Sequence, residues 1–346
     1  MKVAIVEISE SHEECIYSQV SFFKDTGCKV TLFAYSTIIN QVKSYSHIFD
    51  SIQEVNFEEL SFLKCLSRQI KLTKRLSKFD TVILNTASSS KKLRNVSLFL
   101  NFYKTEVLGI LHNAKRLETS FTQKLFSIKI KKYFVLNDFI KKNYKNISSS
   151  ALESFYPIFF PEFNKEEIVK SSNEIWITIP GRLHYNRRNY PFLIEQLKKQ
   201  SIKENIKFVI LGNINSKDGL DFLEKIKENE VTSYFKIFDE FISNSIFYSY
   251  LEKSDYILPL LNLNDESYFK SKITGTFNIA FGFKKIMICH QKLGILPDVG
   301  ENGILYGEDS FISVLNELSE KELVKYKNEK WSYDFQKRKY INFIQE

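Results

Sequence analysis

Short apolar runs alternate with longer amphipathic stretches along the whole chain. The runs are rich in Val, Ile, Leu and Phe, which is typical of strands that are buried on both faces. The stretches between them repeat apolar residues every three or four positions, which indicates helices with one buried face. This alternation predicts an α/β protein with parallel sheets and right-handed crossovers.

The alternation continues through both halves of the sequence. In the first half it predicts strands at 2–8, 29–35, 81–85, 106–111 and 132–136. The helices predicted there lie at 12–26, 57–78 and 90–103, and another begins after Asn137. In the second half it predicts strands at 174–179, 207–211, 234–238, 255–259 and 285–289. The helices predicted there lie at 190–200, 219–230, 244–253, 273–282, 311–323 and 332–344.

A loop-like segment at 156–161 separates the two series, and 346 residues are enough for two domains. We expect a Rossmann-like domain at 1–160, a second at 161–330, and a C-terminal helix at 331–346 that packs back on the first. Each domain is expected to be doubly wound. Because such sheets bind ligands outside the carboxyl ends of their strands, we expect the ligand crevice to lie between two facing domains.

The net charge of +8 is unevenly distributed. Residues 1–165 contain 24 Lys and Arg against 15 Asp and Glu, whereas the remainder contains 25 against 26. The basic half is consistent with an anionic membrane surface or a phosphorylated substrate, and equally with a solvated lysine surface. Nucleic acid is not expected as a partner, because the basic runs lack interleaved aromatic residues.

Targeting and metal signals are weak in this sequence. No apolar run approaches the roughly 20 residues that span a bilayer, and the start reads as a strand rather than a signal peptide. The four cysteines contain no CxxC pair, and no two of the five histidines have metal-ligand spacing. We expect no metal, and a cytoplasmic protein that lies peripherally on the inner face of the membrane.

The most informative segment runs from Thr178 to Asn189. An apolar strand ends there at Pro-Gly, and Arg182 and Arg188 follow on the same loop. Backbone N–H groups beside a helix N-terminus favour an anion, and guanidinium groups suit phosphate oxygens. The alternative is an ordinary loop with solvated arginines.

Three further polar segments follow strands predicted in the second half. Gly212 and Asn213 end one strand, and Glu266 lies in the polar loop after another. Basic and small residues then open a helix: Lys272, Thr274, Gly275 and Thr276. Such a helix start suits a diphosphate, although Ser271 or Thr274 could equally serve only as a helix cap.

These segments resemble the motifs of GT-B glycosyltransferases, nearest the nucleotide-sugar-dependent group called family 4. The Gly181-Arg182-Leu183 segment and the Arg188-Asn189 pair are similar to the family's donor-phosphate loop. Residues 301–306 are similar to its Asn-Gly-Ile/Leu segment. The resemblance covers nearly the whole chain and is strongest over 176–306. It implies the GT-B fold and metal-independent transfer of a sugar from a nucleotide sugar to a surface-glycan or lipid-linked hydroxyl. It favours retention, with a UDP-sugar as donor and no other cofactor.

The resemblance also implies roles for individual residues. Donor contacts fall on Gly181, Arg182, Arg188, Gly212, Asn213, Glu266, Lys272, Thr274, Gly275 and Thr276. Arg182, Lys272 and His112 are the expected catalytic groups, and His12 and Asn113 the expected acceptor contacts. A structural role for either histidine remains the alternative. Inversion would instead need a general base in the first domain, for which the candidates are Glu10, His12, Glu13 and Glu14.

One departure from the family pattern keeps two other functions open. The family commonly has two glutamates eight positions apart, where this chain has Phe269 and Phe277. A nucleotide-sugar 2-epimerase of the same fold is the first alternative, although it would need several carboxylates near a histidine. A non-catalytic partner subunit is the second. The sequence does not indicate the oligomeric state.

Overall fold

The computed structural model describes residues 1–57, 61–88, 90–146, 150–240, 242–319 and 326–346. The chain divides into two compact units. Unit 1 contains Met1–Glu162, Lys270–Ile273 and Glu329–Glu346, and unit 2 contains Phe163–Phe269 and Thr274–Asn328. The helices expected at 57–78 and 311–323 extend over 58–60 and 320–323, which lie outside the described residues.

Unit 1 is built on a seven-stranded parallel sheet in the order β3-β2-β1-β4-β5-β6-β7. Its strands are β1 (Lys2–Glu7), β2 (Lys29–Ala34), β3 (Ser51–Glu54), β4 (Thr81–Leu84), β5 (Glu106–Leu111), β6 (Lys132–Val135) and β7 (Ala151–Ser154). Its first helices are α1 (Ile16–Asp25), α2 (Ser36–Gln41), α3 (Phe62–Leu76), α4 (Lys91–Leu100), α5 (Arg116–Thr119), α6 (Phe121–Lys129) and α7 (Asp138–Tyr144). Two apolar clusters cover the two faces of this sheet.

Unit 2 repeats the arrangement with six parallel strands in the order β10-β9-β8-β11-β12-β13. They are β8 (Ile175–Pro180), β9 (Ile206–Leu211), β10 (Phe235–Lys236), β11 (Tyr256–Ile257), β12 (Ile286–His290) and β13 (Gly303–Tyr306). The helices are α8 (Tyr190–Lys199), α9 (Lys217–Glu228), α10 (Asn244–Lys253), α11 (Gly275–Gly282), α12 (Pro297–Asn302) and α13 (Phe311–Glu317). In both sheets the order reverses beside the first strand of the unit, so the expected doubly wound α/β fold is confirmed.

The last helix, α14 (Tyr333–Gln345), belongs to unit 1. Its Tyr340 ring stacks on Phe134 of β6 with 4.3 Å between ring centroids. The Tyr340 hydroxyl donates a hydrogen bond to Gln19 in α1. Such aromatic packing buries a large apolar area and fixes the helix against the sheet.

Several elements differ from the expected ones for identifiable reasons. The helix expected from residue 12 begins as a short 3-10 turn at Glu13–Cys15, because His12 has a left-handed backbone with φ 75°. The strands β3 and β7 were not predicted, because edge strands are short and carry polar residues. The strand β13 and the helices α2, α5, α6 and α12 were also not predicted. Within the described residues, no helix combines the length and apolarity needed to cross a membrane.

Candidate functional site

In unit 2, two glycines allow the ends of β8 and β9 to meet. Gly181 has φ +100°, a conformation that side chains rarely adopt, and its N–H donates to the carbonyl of Leu211 over 2.8 Å. A Cβ atom at Gly212 would lie 2.3 Å from the carbonyl oxygen of Gly181. This contact leaves the loop after β8 close to the end of the neighbouring strand, without side chains between them.

Arg188 ties this loop to the neighbouring elements. Its side chain is buried, and its guanidinium donates to the carbonyl of Pro259 over 2.6 Å and to the carbonyl of Pro180. It also donates to the hydroxyl of Thr276 in the first turn of α11 over 3.1 Å. Burial lowers the pKa of Arg188, although the group remains a cation. The Gly181 loop and the N-terminus of α11 are therefore held next to each other.

The remaining groups at this edge are accessible. Arg182 is exposed and has no hydrogen bond or ion pair with other described residues. Thr274 caps the eight-residue helix α11 through a 3.4 Å bond from the N–H of Thr276, and the space around the Cα of Gly275 is open. Asn213 and Glu266 are also exposed. This edge therefore offers a cation, small residues and a helix N-terminus.

Lys272 lies on a segment with different attachments. Residues Lys270–Ile273 belong to unit 1, although the sequence placed them in the second domain. The N–H of Ala114 donates to the carbonyl of Ser271 over 2.9 Å, and Asn143 donates to the carbonyl of Lys270. The first unit thus fixes the backbone that carries Lys272, two residues before the cap of α11.

In unit 1, the carboxyl edge of the sheet brings two histidines together. His12 follows β1 and His112 follows β5, and their rings stack with 3.6 Å between centroids and 16° between planes. The Nδ1 atom of His12 lies 3.4 Å from a carboxylate oxygen of Glu14. The strand order β1-β4-β5 makes this pairing possible, because only one strand separates the two residues.

The hydrogen bonds of His112 define its tautomer. Its Nε2 lies 2.8 Å from the carbonyl oxygen of Asn85. A carbonyl can only accept, so this nitrogen carries the proton in the neutral ring. The Nδ1 atom is buried and has no hydrogen-bond partner within the described residues. His112 therefore presents an unused acceptor at the carboxyl edge.

The two rings have opposite protonation preferences. Burial, together with the charge of His12, lowers the pKa of His112 to about 4. Burial also opposes a charge on His12, but the hydrogen bond and charge of Glu14 outweigh it and raise the pKa of His12. Burial raises the pKa of Glu13, and the neighbouring charge of Glu14 adds to this effect. At neutral pH, His112 is therefore the neutral member of the pair.

A buried polar network supports the turn after β1. Burial raises the pKa of Glu7 despite hydrogen bonds from Thr86 and Asn85. Asn85 also donates to the carbonyl of His12 over 2.8 Å. These bonds stabilise the left-handed backbone of His12, which is a strained conformation for a residue other than glycine.

His12, Glu14 and His112 could be taken for a metal site, because their ligand atoms all lie within 4.8 Å of one another. The stacking argues against this. An ion bound by both rings should lie in both ring planes, about 2.0–2.1 Å from each nitrogen. With nearly parallel rings whose centroids are 3.6 Å apart, an ion midway would lie almost perpendicular to both lone pairs. The arrangement fits a stacked pair of rings, of which His12 pairs with Glu14 and His112 with the Asn85 carbonyl, better than a metal centre.

The structure groups the expected site residues into two sets. Unit 2 assembles residues of the β8 loop, β9 end and α11 start: Gly181, Arg182, Arg188, Gly212, Asn213, Thr274, Gly275 and Thr276. Unit 1 assembles His12 with His112, and Asn113 lies next in the chain. Sequence reasoning missed Glu7 and Asn85. Their position at the ends of β1 and β4 was the one available signal.

Neither a protein-family model nor a curated protein sequence matches the chain significantly. Several solved structures do match it, over the whole length of the chain. HepE of Anabaena in complex with UDP and glucose is 13% identical, with a TM-score of 0.67 over 100% of this chain and 95% of that chain. The lipopolysaccharide outer core galactosyltransferase WaaB is 15% identical, with a TM-score of 0.64 over 100% and 99%.

A third similar structure has a different activity. UDP-GlcNAc 2-epimerase of Methanocaldococcus jannaschii is 10% identical, with a TM-score of 0.62 over 100% of this chain and 99% of that chain. Identities this low show a shared fold rather than a shared reaction. With its two doubly wound sheets and this full-length similarity, the chain has the GT-B fold.

Proposed function

We propose that this protein is a glycosyltransferase that uses a nucleotide sugar, with UDP as the nucleotide. The observation that carries the proposal is the Arg188 clamp, which holds the Gly181 loop beside the N-terminus of α11. A helix N-terminus, loop N–H groups and the exposed Arg182 together suit a diphosphate. The similar structure of HepE was solved with UDP and with UDP-glucose, which supports this choice of nucleotide.

Different residues have different tasks in this proposal. Arg182 and Lys272 contact the diphosphate and neutralise the charge that develops on it as the sugar leaves. The N–H groups of Gly275 and Thr276 add to this at the helix start. Arg188 acts as a positioning residue, because its guanidinium is buried and already bonded to two carbonyls and a hydroxyl. No metal is needed for this charge stabilisation.

In unit 1, the Nδ1 atom of His112 accepts a hydrogen bond from a hydroxyl of the sugar or the acceptor once the stacked His12 ring shifts and exposes it. A pKa of about 4 makes this nitrogen a poor base at neutral pH, so it orients a hydroxyl rather than removing its proton. The leaving diphosphate then takes the acceptor proton, which is consistent with retention. We extend the proposal to a cytoplasmic enzyme whose acceptor is a surface glycan or a lipid-linked precursor.

The diphosphate site is tested by calorimetry with UDP. A charge-assisted contact contributes roughly 1.5–3 kcal/mol, so Arg182→Ala or Lys272→Ala should raise the dissociation constant about tenfold or more. Lys198→Ala is the matched control, because it removes one exposed charge about 12 Å along the helix from the start of α8. Unchanged UDP affinity in both site variants would place the diphosphate elsewhere.

The role of His112 is tested by turnover. UDP release from a UDP-sugar in the presence of glycan or lipid-linked acceptors measures transfer. His112→Gln should lower kcat while leaving UDP affinity nearly unchanged, because the lost contact involves the sugar or acceptor. Wild-type turnover in a folded His112→Gln protein would assign the residue a purely structural role.

A second function is favoured by one observation in unit 1. The structure brings three carboxylates, Glu7, Glu13 and Glu14, around His12, and inversion at C2 of a sugar requires acid and base groups. A panel of UDP-sugars incubated in D₂O separates the two reactions. Deuterium at C2 together with an epimerised product indicates an epimerase, whereas acceptor-dependent UDP release indicates a transferase. Binding of UDP without either reaction would favour a non-catalytic subunit.

A further inference from the structure

Exposed apolar side chains are concentrated on one layer of unit 1. Among the described residues, twelve large apolar side chains are exposed, and seven of them lie between residues 62 and 128. They are Phe62, Leu63, Ile70, Phe102, Tyr103, Phe121 and Ile128. All seven belong to α3, α4 and α6 or to the residues that directly follow α4. We name this layer the α3–α4–α6 face.

The three helices form one continuous layer. Helix α3 packs on α4, and α4 packs on α6, with all three covering the same apolar cluster of the sheet. Ile70, Phe99, Phe102 and Tyr103 line a groove between α3 and the end of α4. The ammonium group of Lys129 in α6 donates to the carbonyl of Tyr103 over 2.9 Å. Ile70, Phe102 and Tyr103 therefore belong to one surface, which the end of α6 adjoins.

The same layer carries a strong positive charge. The helices α3, α4 and α6 contain ten Lys and Arg and no Asp or Glu, a net charge of +10 that exceeds the +8 of the whole chain. Phe102 is 84% exposed and Leu63 is 75% exposed, and the exposed Lys71 and Lys74 lie eight and eleven residues after Leu63, on the same side of α3. Neither lysine has an ion pair with another described residue.

We propose that the α3–α4–α6 face docks the protein reversibly on an anionic lipid bilayer. Cationic side chains above an apolar layer match the anionic headgroups and the acyl boundary beneath them. Leu63 and Phe102 enter the headgroup region, while Lys71 and Lys74 contact the lipid phosphates. This inference concerns a partner, and it does not depend on which reaction the protein catalyses.

Vesicle sedimentation tests the proposal with the full chain. Binding should be strong to phosphatidylcholine vesicles that contain phosphatidylglycerol, and weak to vesicles of phosphatidylcholine alone. Raising the salt from about 0.1 M to about 1 M shortens the screening length from about 10 Å to about 3 Å and should release most of the protein. Equal binding to both vesicle types, or no binding at low salt, would overturn the proposal.

Two double variants distinguish the charged and apolar contributions. Lys71→Gln with Lys74→Gln should lower the partition coefficient about fivefold for each lysine, thus about 25-fold. Leu63→Ser with Phe102→Ser should lower it about tenfold or more, and should do so at every salt concentration that permits binding.

A matched control comes from unit 2. Leu220→Ser with Lys227→Gln removes an exposed apolar residue and an exposed lysine from α9, and should leave vesicle binding unchanged. Circular dichroism and UDP affinity should be unchanged in all variants, which confirms that the proteins are folded. If the α3–α4–α6 variants bind vesicles like the wild type, or the α9 variant loses binding equally, the face is wrongly assigned.

Discussion

Arg188 is expected to be among the most important side chains for the stability of unit 2. Its guanidinium makes three hydrogen bonds, to the carbonyls of Pro180 and Pro259 and to the hydroxyl of Thr276. A hydrogen bond that involves a charged group contributes roughly 1.5–3 kcal/mol, partly offset by the desolvation of the buried cation. Arg188→Met retains most of the volume but none of the donors. We expect it to lower the free energy of unfolding of unit 2 by about 3–5 kcal/mol.

The two tryptophans of the chain make this measurement specific. Trp176 is fully buried in β8 of unit 2, whereas Trp331 belongs to unit 1. In a Trp331→Phe background, fluorescence therefore reports the unfolding of unit 2 alone. For an urea dependence of about 1–3 kcal/mol per M, Arg188→Met should lower the unfolding midpoint by about 1 M or more.

The exposed Arg182 provides the comparison on the same loop. Arg182→Met should change the stability of unit 2 by no more than about 0.5 kcal/mol, because no described residue is bonded to it. Equal and small effects of the two substitutions would show that Arg188 does not hold the Gly181 loop against the start of α11. Arg188 would then contribute no more to stability than the exposed Arg182 does. A large effect of Arg182→Met alone would contradict the site geometry altogether.

Three further predictions concern backbone space and pH. Gly212→Ala should destabilise unit 2 by about 2 kcal/mol or more in the same fluorescence assay, because the new Cβ would lie 2.3 Å from a backbone oxygen. Gly275→Ala is the control: its Cβ would enter open space, so the substitution should be neutral or slightly stabilising. The pKa of His112 is about 4 in the folded state against an ordinary 6.5, so as pH falls from 6.5 to 4 the unfolded chain binds a proton that the folded chain does not. The wild type should therefore lose on the order of 3 kcal/mol of its free energy of unfolding over this pH range, and urea titrations should show that His112→Gln does not. The pKa of His12 is raised, so the stability that its protonated form contributes is complete below about pH 6.5 and is lost as pH rises through the folded pKa. The difference in free energy of unfolding between the wild type and His12→Gln should shrink over that pH range. A difference that does not change with pH would contradict the raised pKa.

Some features of this protein are determined by local sequence pattern. The alternation of apolar runs and amphipathic stretches was sufficient for the α/β class and the two doubly wound sheets, because buried parallel strands and one-sided helices have distinct hydrophobic periods. The Pro180-Gly181 step marked the end of β8, because a positive φ strongly favours glycine. The short edge strands β3 and β7 carry no such signal, since each has only four residues and polar side chains interrupt its apolar pattern.

The chemistry of the two edges depends on tertiary structure. His12 and His112 are far apart in the sequence, and they stack only because the strand order places β1 and β5 on either side of β4. The same packing provides the Asn85 carbonyl that fixes the tautomer of His112. In unit 2, the ends of β8 and β11 and the start of α11 enclose Arg188, which the sequence could only identify as a phosphate-binding candidate. Residue type and local period are properties of neighbouring positions, whereas burial, tautomer and pKa depend on groups that only the folded sheet brings together.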